Sequence, residues 1–138
     1  MQFCNQKFKY EIMKAEKVKR MKIHSFADYA ISLFLIASPW LFGMRIEEME
    51  SKIMITVGLG VLLNNFTTNH KFGLAKMFRI KTHYKIDLFF GWFLFVSPFL
   101  YGFFAATLLP HLLFGGLIFA NTLFIKVPVK ILSSQKFA

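Results

Sequence analysis

One pattern of residues occurs twice in this chain, at an interval of 59. His24, Asp28, Ser38, Pro39, Trp40, Leu41 and Gly43 return as His83, Asp87, Ser97, Pro98, Phe99, Leu100 and Gly102. Eight of the 21 positions from His24 to Met44 are identical at this spacing, with Phe34/Phe93 and Leu35/Leu94 among them. Apolar bias explains a few such matches, but not the aligned His, Asp, Ser-Pro and Gly. Each copy is followed by a second apolar run, so the repeating unit is a pair of segments.

Those segments are too apolar for a water-soluble core. The 38 positions from Leu88 to Ile125 contain no acidic or basic residue, only His111. One crossing of a bilayer needs about 20 apolar residues. Hydrophobic residues make up 56 % of the chain, 19 of them Phe, and the mean hydropathy is +0.50. A soluble domain of this size cannot hide so much aromatic surface. Polar and apolar positions do not alternate, so strands are not expected. A backbone in lipid must satisfy its own hydrogen bonds, which leaves helices. The expected segments run from about Asp28 to Met44, Lys52 to Thr68, Ile86 to Phe104 and Leu108 to Ile125. The expected fold class is an all-α membrane protein: four transmembrane helices forming two tandem parallel-repeat helical hairpins, in an up-down-up-down bundle.

Charge sets the orientation. Seven Lys and Arg precede the first segment, five (Lys71, Lys76, Arg79, Lys81, Lys85) lie between the second and third, and three (Lys126, Lys130, Lys136) follow the fourth. The other two loops hold only Arg45 and Lys52. Basic flanks stay cytoplasmic, so both termini and the central loop are expected inside. Topology thus accounts for the net charge of +10 better than nucleic-acid binding does, and no nucleic acid is expected. Cys4 is the single cysteine, so an intrachain disulfide is excluded. The first apolar run follows a long polar stretch and lacks a small-x-small site, so it is expected to remain as a span.

The expected organisation is a basic arm (1–23), a first repeat (24–69), a basic loop (70–82), a second repeat (83–126) and a tail (127–138). Two readings of the arm stay open: a helix on an anionic membrane surface, or a loosely ordered segment. The second helices align at an interval of 56, pairing Ser51 with Thr107, Gly60 with Gly116 and Asn65 with Asn121. Ser51 and Thr107 are placed to cap those helices, Pro110 falls in a first turn, and Glu47, Glu48 and Glu50 sit near a positive helix end.

An Asp, then Ser-Pro-Trp ten residues on, then Gly, in the first of two paired spans, resembles the SPW-repeat family of small bacterial membrane proteins. The resemblance covers roughly Lys22 to Lys126 in two copies. The second copy departs from it by reading Ser97-Pro98-Phe99, which puts any role for an indole there in doubt. The resemblance implies architecture and a multi-pass place in the bacterial plasma membrane, not a mechanism.

Within the motif, Pro39 and Pro98 cannot donate hydrogen bonds and so free the carbonyls of Leu35 and Leu94. Ser38 and Ser97 are expected to bond back to residue i−4, giving a fixed kink or, on the sharper reading, a moving hinge for gating. Gly43 and Gly102 are expected to end their helices, and Trp40 and Trp92 to be interfacial or packing residues. Gly58, Gly60, Gly115 and Gly116 allow close helix approach.

Asp28 and Asp87 are the leading functional candidates, because acids in spans are costly. One reading makes them structural, as helix caps clasped within their own repeats: Asp28 to Asn65 and Asp87 to Asn121. The other makes them a proton or cation site near the pseudo-axis. His24 and His83 stand one turn before the acids, a spacing that suits a relay or a metal fragment. Two ligands rarely hold an ion, so neither a metal nor a cofactor is expected. No phosphate loop, HExxH, CxxC or nucleophile elbow is present. The leading expectation is a non-enzymatic membrane protein that works by association with itself or a membrane partner. The alternative is an oligomeric proton, ion or solute conductor, and His-Asp enzyme chemistry is a distant third.

Overall fold

The computed structural model describes residues 2–68 and 79–126, which form four helices: α1 (Gln2–Leu41), α2 (Met49–Thr67), α3 (Ile80–Tyr101) and α4 (Phe104–Lys126). Most of the expected central loop, His70 included, and the tail at 127–138 lie outside the described residues. Part of that loop is helical, since α3 already begins at Ile80.

The basic arm and the first apolar segment are one helix of 40 residues. The physical reason is plain in the composition: no Gly or Pro occurs before Pro39, and Lys, Glu, Met and Ala favour helix. This excludes the loosely ordered arm. The helix ends in a Schellman turn, with Gly43 at φ 63° and the Met44 amide bonded to the Pro39 carbonyl at 2.8 Å. At the matching place Gly102 ends α3 at φ 75°. Both glycines act as helix stops, where a side chain would be strained.

Ser38 and Ser97 are fully buried, and their hydroxyls donate to the carbonyls of Leu35 (2.6 Å) and Leu94 (2.9 Å). The bond runs to residue i−3, not the expected i−4. It therefore reaches the carbonyl that the following proline leaves without an amide. The third motif residue faces outward: Trp40 is 65 % and Phe99 60 % exposed.

The helices pack as two hairpins, α1 with α2 and α3 with α4, and the ring closes through α2 against α3 and α1 against α4. Where α3 meets α4, a side-chain carbon on Gly115 would lie 2.9 Å from both the Gly91 carbonyl oxygen and the Phe95 amide nitrogen. The α1–α2 seam is alike: a Gly58 side-chain carbon would lie 3.0 Å from the Ser32 carbonyl and 2.9 Å from Leu35 Cβ. Ser32 and Gly91 are 59 apart, whereas Gly58 and Gly115 are 57 apart. The second helices therefore repeat at 57, not 56. The pairing of Gly60 with Gly116 fails accordingly: Gly60 sits under the Phe90 ring, and Gly116 has open space.

An apolar layer of Leu35, Met54, Val57, Val61, Leu94, Phe114 and Ile118 fills the centre of the bundle. Buried polar residues nevertheless outnumber buried apolar ones among the described residues, while Leu33, Phe34, Phe89, Trp92, Leu113 and Leu123 lie outside. Among the described residues one segment, Thr107–Ile125, with mean hydropathy 1.8, is long and apolar enough to cross a membrane.

Two capping expectations need correction. Glu48 holds the N-cap position of α2, without a side-chain bond, and Ser51 is buried inside the helix. Thr107 breaks the regular helix (φ −135°, ψ 24°), but its buried hydroxyl makes no hydrogen bond. Instead its carbonyl meets the Nδ1 of His111 at 2.9 Å. Ser51 misses the cap because α2 begins two residues earlier, at Met49, whereas Thr107 stands at the kink in α4 but its hydroxyl caps nothing.

Candidate functional site

His24 and Asp28 lie one turn apart on α1, and His83 and Asp87 one turn apart on α3. These helices are diagonal in the ring, and the four side chains meet between them. His24 Nε2 stands 3.2 Å from Asp28 Oδ2 and 3.6 Å from Asp87 Oδ2. His83 Nε2 stands 3.3 Å from Asp28 Oδ2 and 3.1 Å from Asp87 Oδ2. All four side chains are buried, and one donor atom from each falls within 4.8 Å of the others. The imidazole rings are nearly perpendicular, at 86°. Neither Asp is a helix cap. Each lies inside a helix, because α1 and α3 begin well before it.

The second oxygen of each Asp is held from the other repeat. Asn121 Nδ2 on α4 donates to Asp28 Oδ1 at 2.8 Å, and Asn64 Nδ2 on α2 donates to Asp87 Oδ1 at 2.8 Å. The same amides also reach back one turn, to the carbonyls of His24 (3.3 Å) and His83 (3.2 Å). The expected clasps within each repeat, Asp28–Asn65 and Asp87–Asn121, are therefore wrong. Asn64 and Asn65 point about 100° apart around α2. Asn64 faces α3, while Asn65 faces α1, where it accepts from the Ser25 hydroxyl (3.0 Å) and donates to the Ser25 carbonyl (2.9 Å). Asn64 and Asn121 also lie 57 apart, the interval set by the glycines.

Thr68 adds an asymmetric contact. Its hydroxyl donates to the Asn64 carbonyl at 2.6 Å and lies 3.1 Å from His83 Nδ1. With its proton spent on Asn64, Thr68 can only accept from His83, so Nδ1 carries the imidazole hydrogen. In the neutral ring Nε2 then turns a lone pair toward the two carboxylates. Tyr84 packs edge-on against His24 at 5.3 Å. A shallow recess lined by Met21, His24, Ser25, Ile80, His83 and Tyr84 leads from outside to the two imidazoles.

Sequence reasoning singled out all four members of this cluster and weighed a site made of both acids near the pseudo-axis, but judged a His–Asp pair too few ligands for a metal. It missed Asn64, Thr68 and Ser25. An alignment of the second helices on Gly58 and Gly115 would have found Asn64. Of the remaining motif residues, Ser38, Pro39, Trp40, Gly43, Ser97, Pro98, Phe99 and Gly102 serve the helix ends and lie in a different layer.

The SPW repeat domain matches residues 22–124. No curated protein and no solved structure matches the chain. The matched span takes in both copies of the motif and all four cluster residues, and the chain belongs to the SPW repeat family.

Proposed function

We propose that this chain is an integral membrane protein of four spans that holds a cation, rather than transforming a substrate, at the joint between its repeats. The observation that carries this reading is the meeting of two carboxylates and two imidazoles away from water. Two anionic carboxylates buried together are costly unless positive charge neutralises them. The membrane setting is supported by the exposed ring of Leu, Phe and Trp around a polar interior. Only 33 % of the Thr107–Ile125 window is buried, unlike the core helix of a soluble protein. The charge asymmetry of the loops supports a topology with both termini and the cluster on the cytoplasmic side.

Binding fits the bundle better than through-conduction. Leu35, Leu94 and Ile118, all fully buried, lie in the layer that follows the cluster along the helices, and they offer no polar path among the described residues. The association role expected from sequence would use the outer aromatic face instead.

Two measurements test this reading. Thiol labelling should reach Cys4 from the cytoplasmic side and a cysteine placed at Glu47, in a Cys4→Ser background, from the other. Labelling of both from one side overturns the topology. The double variant Asp28→Asn/Asp87→Asn keeps an oxygen for Asn121 and Asn64 but removes both charges. Thermal stability of wild type in detergent should respond to at least one mono- or divalent cation in a way that the double variant does not. Identical responses across the whole cation panel refute the cation-holding role.

A further inference from the structure

We infer that the cation is a divalent transition metal of the zinc class, held tetrahedrally by His24 Nε2, Asp28 Oδ2, His83 Nε2 and Asp87 Oδ2. This rests on the cation-holding reading and goes beyond it by fixing ligands, geometry and ion. In a tetrahedral zinc site, bonds of about 2.0–2.2 Å place neighbouring ligand atoms about 3.3–3.6 Å apart. The four nitrogen-to-oxygen edges of the cluster are 3.1, 3.2, 3.3 and 3.6 Å. These four edges lie close to the separations one shared ion imposes; the other two, nitrogen to nitrogen and oxygen to oxygen, are no longer than 4.8 Å and would shorten as an ion binds.

Direction agrees with distance. His24 Nε2 and both Asp Oδ2 atoms are buried without an aligned hydrogen bond, although each has a partner atom near 3 Å. They are close together but not paired off by hydrogen bonds, as donors to one shared ion would be. On His83, Thr68 fixes the tautomer that bares Nε2. A polar partner on the remote nitrogen and amide bonds to the remote carboxylate oxygens are the outer contacts that orient metal ligands, and Thr68, Asn64 and Asn121 supply them.

The donor set chooses the ion. Imidazole suits zinc, iron, cobalt, nickel and copper, whereas magnesium and calcium favour oxygen donors and six or more ligands. Two carboxylates and two neutral imidazoles carry a charge of −2, so a divalent ion leaves the buried site neutral. With four protein ligands the site is closed, as structural zinc sites are, and it ties α1 to α3 across the ring. The recess beside Tyr84 is the place where the surface comes nearest to the two imidazoles.

The test uses the full chain in detergent, stripped with chelator and reloaded with Co2+ as a spectroscopic probe. Wild type should take up one Co2+ per chain with the intense visible absorption of a tetrahedral ion, and Zn2+ should displace it. Asp28→Asn/Asp87→Asn and His24→Gln/His83→Gln should each bind at least about 100-fold more weakly, and Asn64→Ala about 10- to 100-fold more weakly. Wild type needs no variant to fold, so its uptake and spectrum stand alone. Overturning results are no uptake by wild type, a weak six-coordinate spectrum, or equal uptake after both acids are replaced. If Na+, K+, Mg2+ or Ca2+ stabilises wild type over the double variant while Co2+ and Zn2+ do not, the metal inference falls and the cation-holding role stands. If no cation separates them, both fall.

Discussion

Gly115 and Gly116 are adjacent in α4, yet alanine should affect them in opposite directions. At either position, exchanging glycine for alanine inside a helix favours the helix by about 0.5–1 kcal/mol. At Gly116 nothing lies within 4 Å of the added carbon, so that gain stands alone. At Gly115 the carbon would meet the Gly91 carbonyl oxygen and the Phe95 amide nitrogen at 2.9 Å and Phe95 Cα at 3.2 Å. These are backbone atoms of a packed helix, and no rotamer change moves them aside. The α3–α4 seam must open by a few tenths of an ångström, and crowding of this kind costs about 1–3 kcal/mol. The propensity gain is common to both variants and cancels between them. Gly115→Ala should therefore be about 2 kcal/mol less stable than Gly116→Ala, about 30-fold in the unfolding equilibrium. Reversible unfolding in mixed micelles with increasing denaturing detergent, followed by tryptophan fluorescence, measures the gap. Equal stabilities, or Gly115→Ala as the more stable, would refute the close approach of α3 and α4.

Other elements yield comparable tests by the same unfolding measurement. Ser38→Ala leaves the buried Leu35 carbonyl without a donor and should cost about 1–3 kcal/mol. Adding Pro39→Ala restores an amide, so the double variant should be more stable than Ser38→Ala alone, and a simple sum of losses would contradict this. Alanine at Gly43 or Gly102 keeps open space around it but must adopt positive φ, at about 1–2 kcal/mol each. Asparagine should be tolerated better at both sites, and equal losses would argue against left-handed helix stops. A cysteine pair at positions 64 and 87 should cross-link more readily than a pair at 65 and 87, because Asn64 meets Asp87 while Asn65 faces Ser25.

The two hairpins and the helix stops were legible because duplication, uncharged runs and Gly each act locally. The register of the second helices was not. An interval of 56 aligns Gly60 with Gly116 and Asn65 with Asn121, while 57 aligns Gly58 with Gly115 and Asn64 with Asn121. Identity does not decide between them. Packing does, since one residue turns a helix face by about 100° and moves an amide from one neighbour to another. The caps failed for a related reason: Ser51 and Thr107 have the right chemistry, but α2 begins before Ser51 and the Thr107 hydroxyl makes no hydrogen bond at its kink. The cluster was half visible. A spacing of four puts His24 beside Asp28 and His83 beside Asp87, but only the ring arrangement brings one pair against the other.

That arrangement explains why the motif occurs twice in one chain. A single hairpin supplies one His and one Asp, too few to neutralise or enclose an ion, with its outward amide left to find a carboxylate elsewhere. A second hairpin in the same sense, about an axis between α1 and α3, completes the set, and each Asn then holds the other repeat's Asp. The joint is therefore built from contacts that neither repeat can make alone. Fusing the halves also frees them to differ. Thr68 fixes His83, whereas His24 Nδ1 has no hydrogen-bond partner among the described residues. His83 is accordingly the better oriented imidazole, and His24 the one without a partner on its remote nitrogen. The loss of His83 should weaken ion binding more than the loss of His24, and the reverse order would show that the Thr68 contact does not orient His83 for the ion.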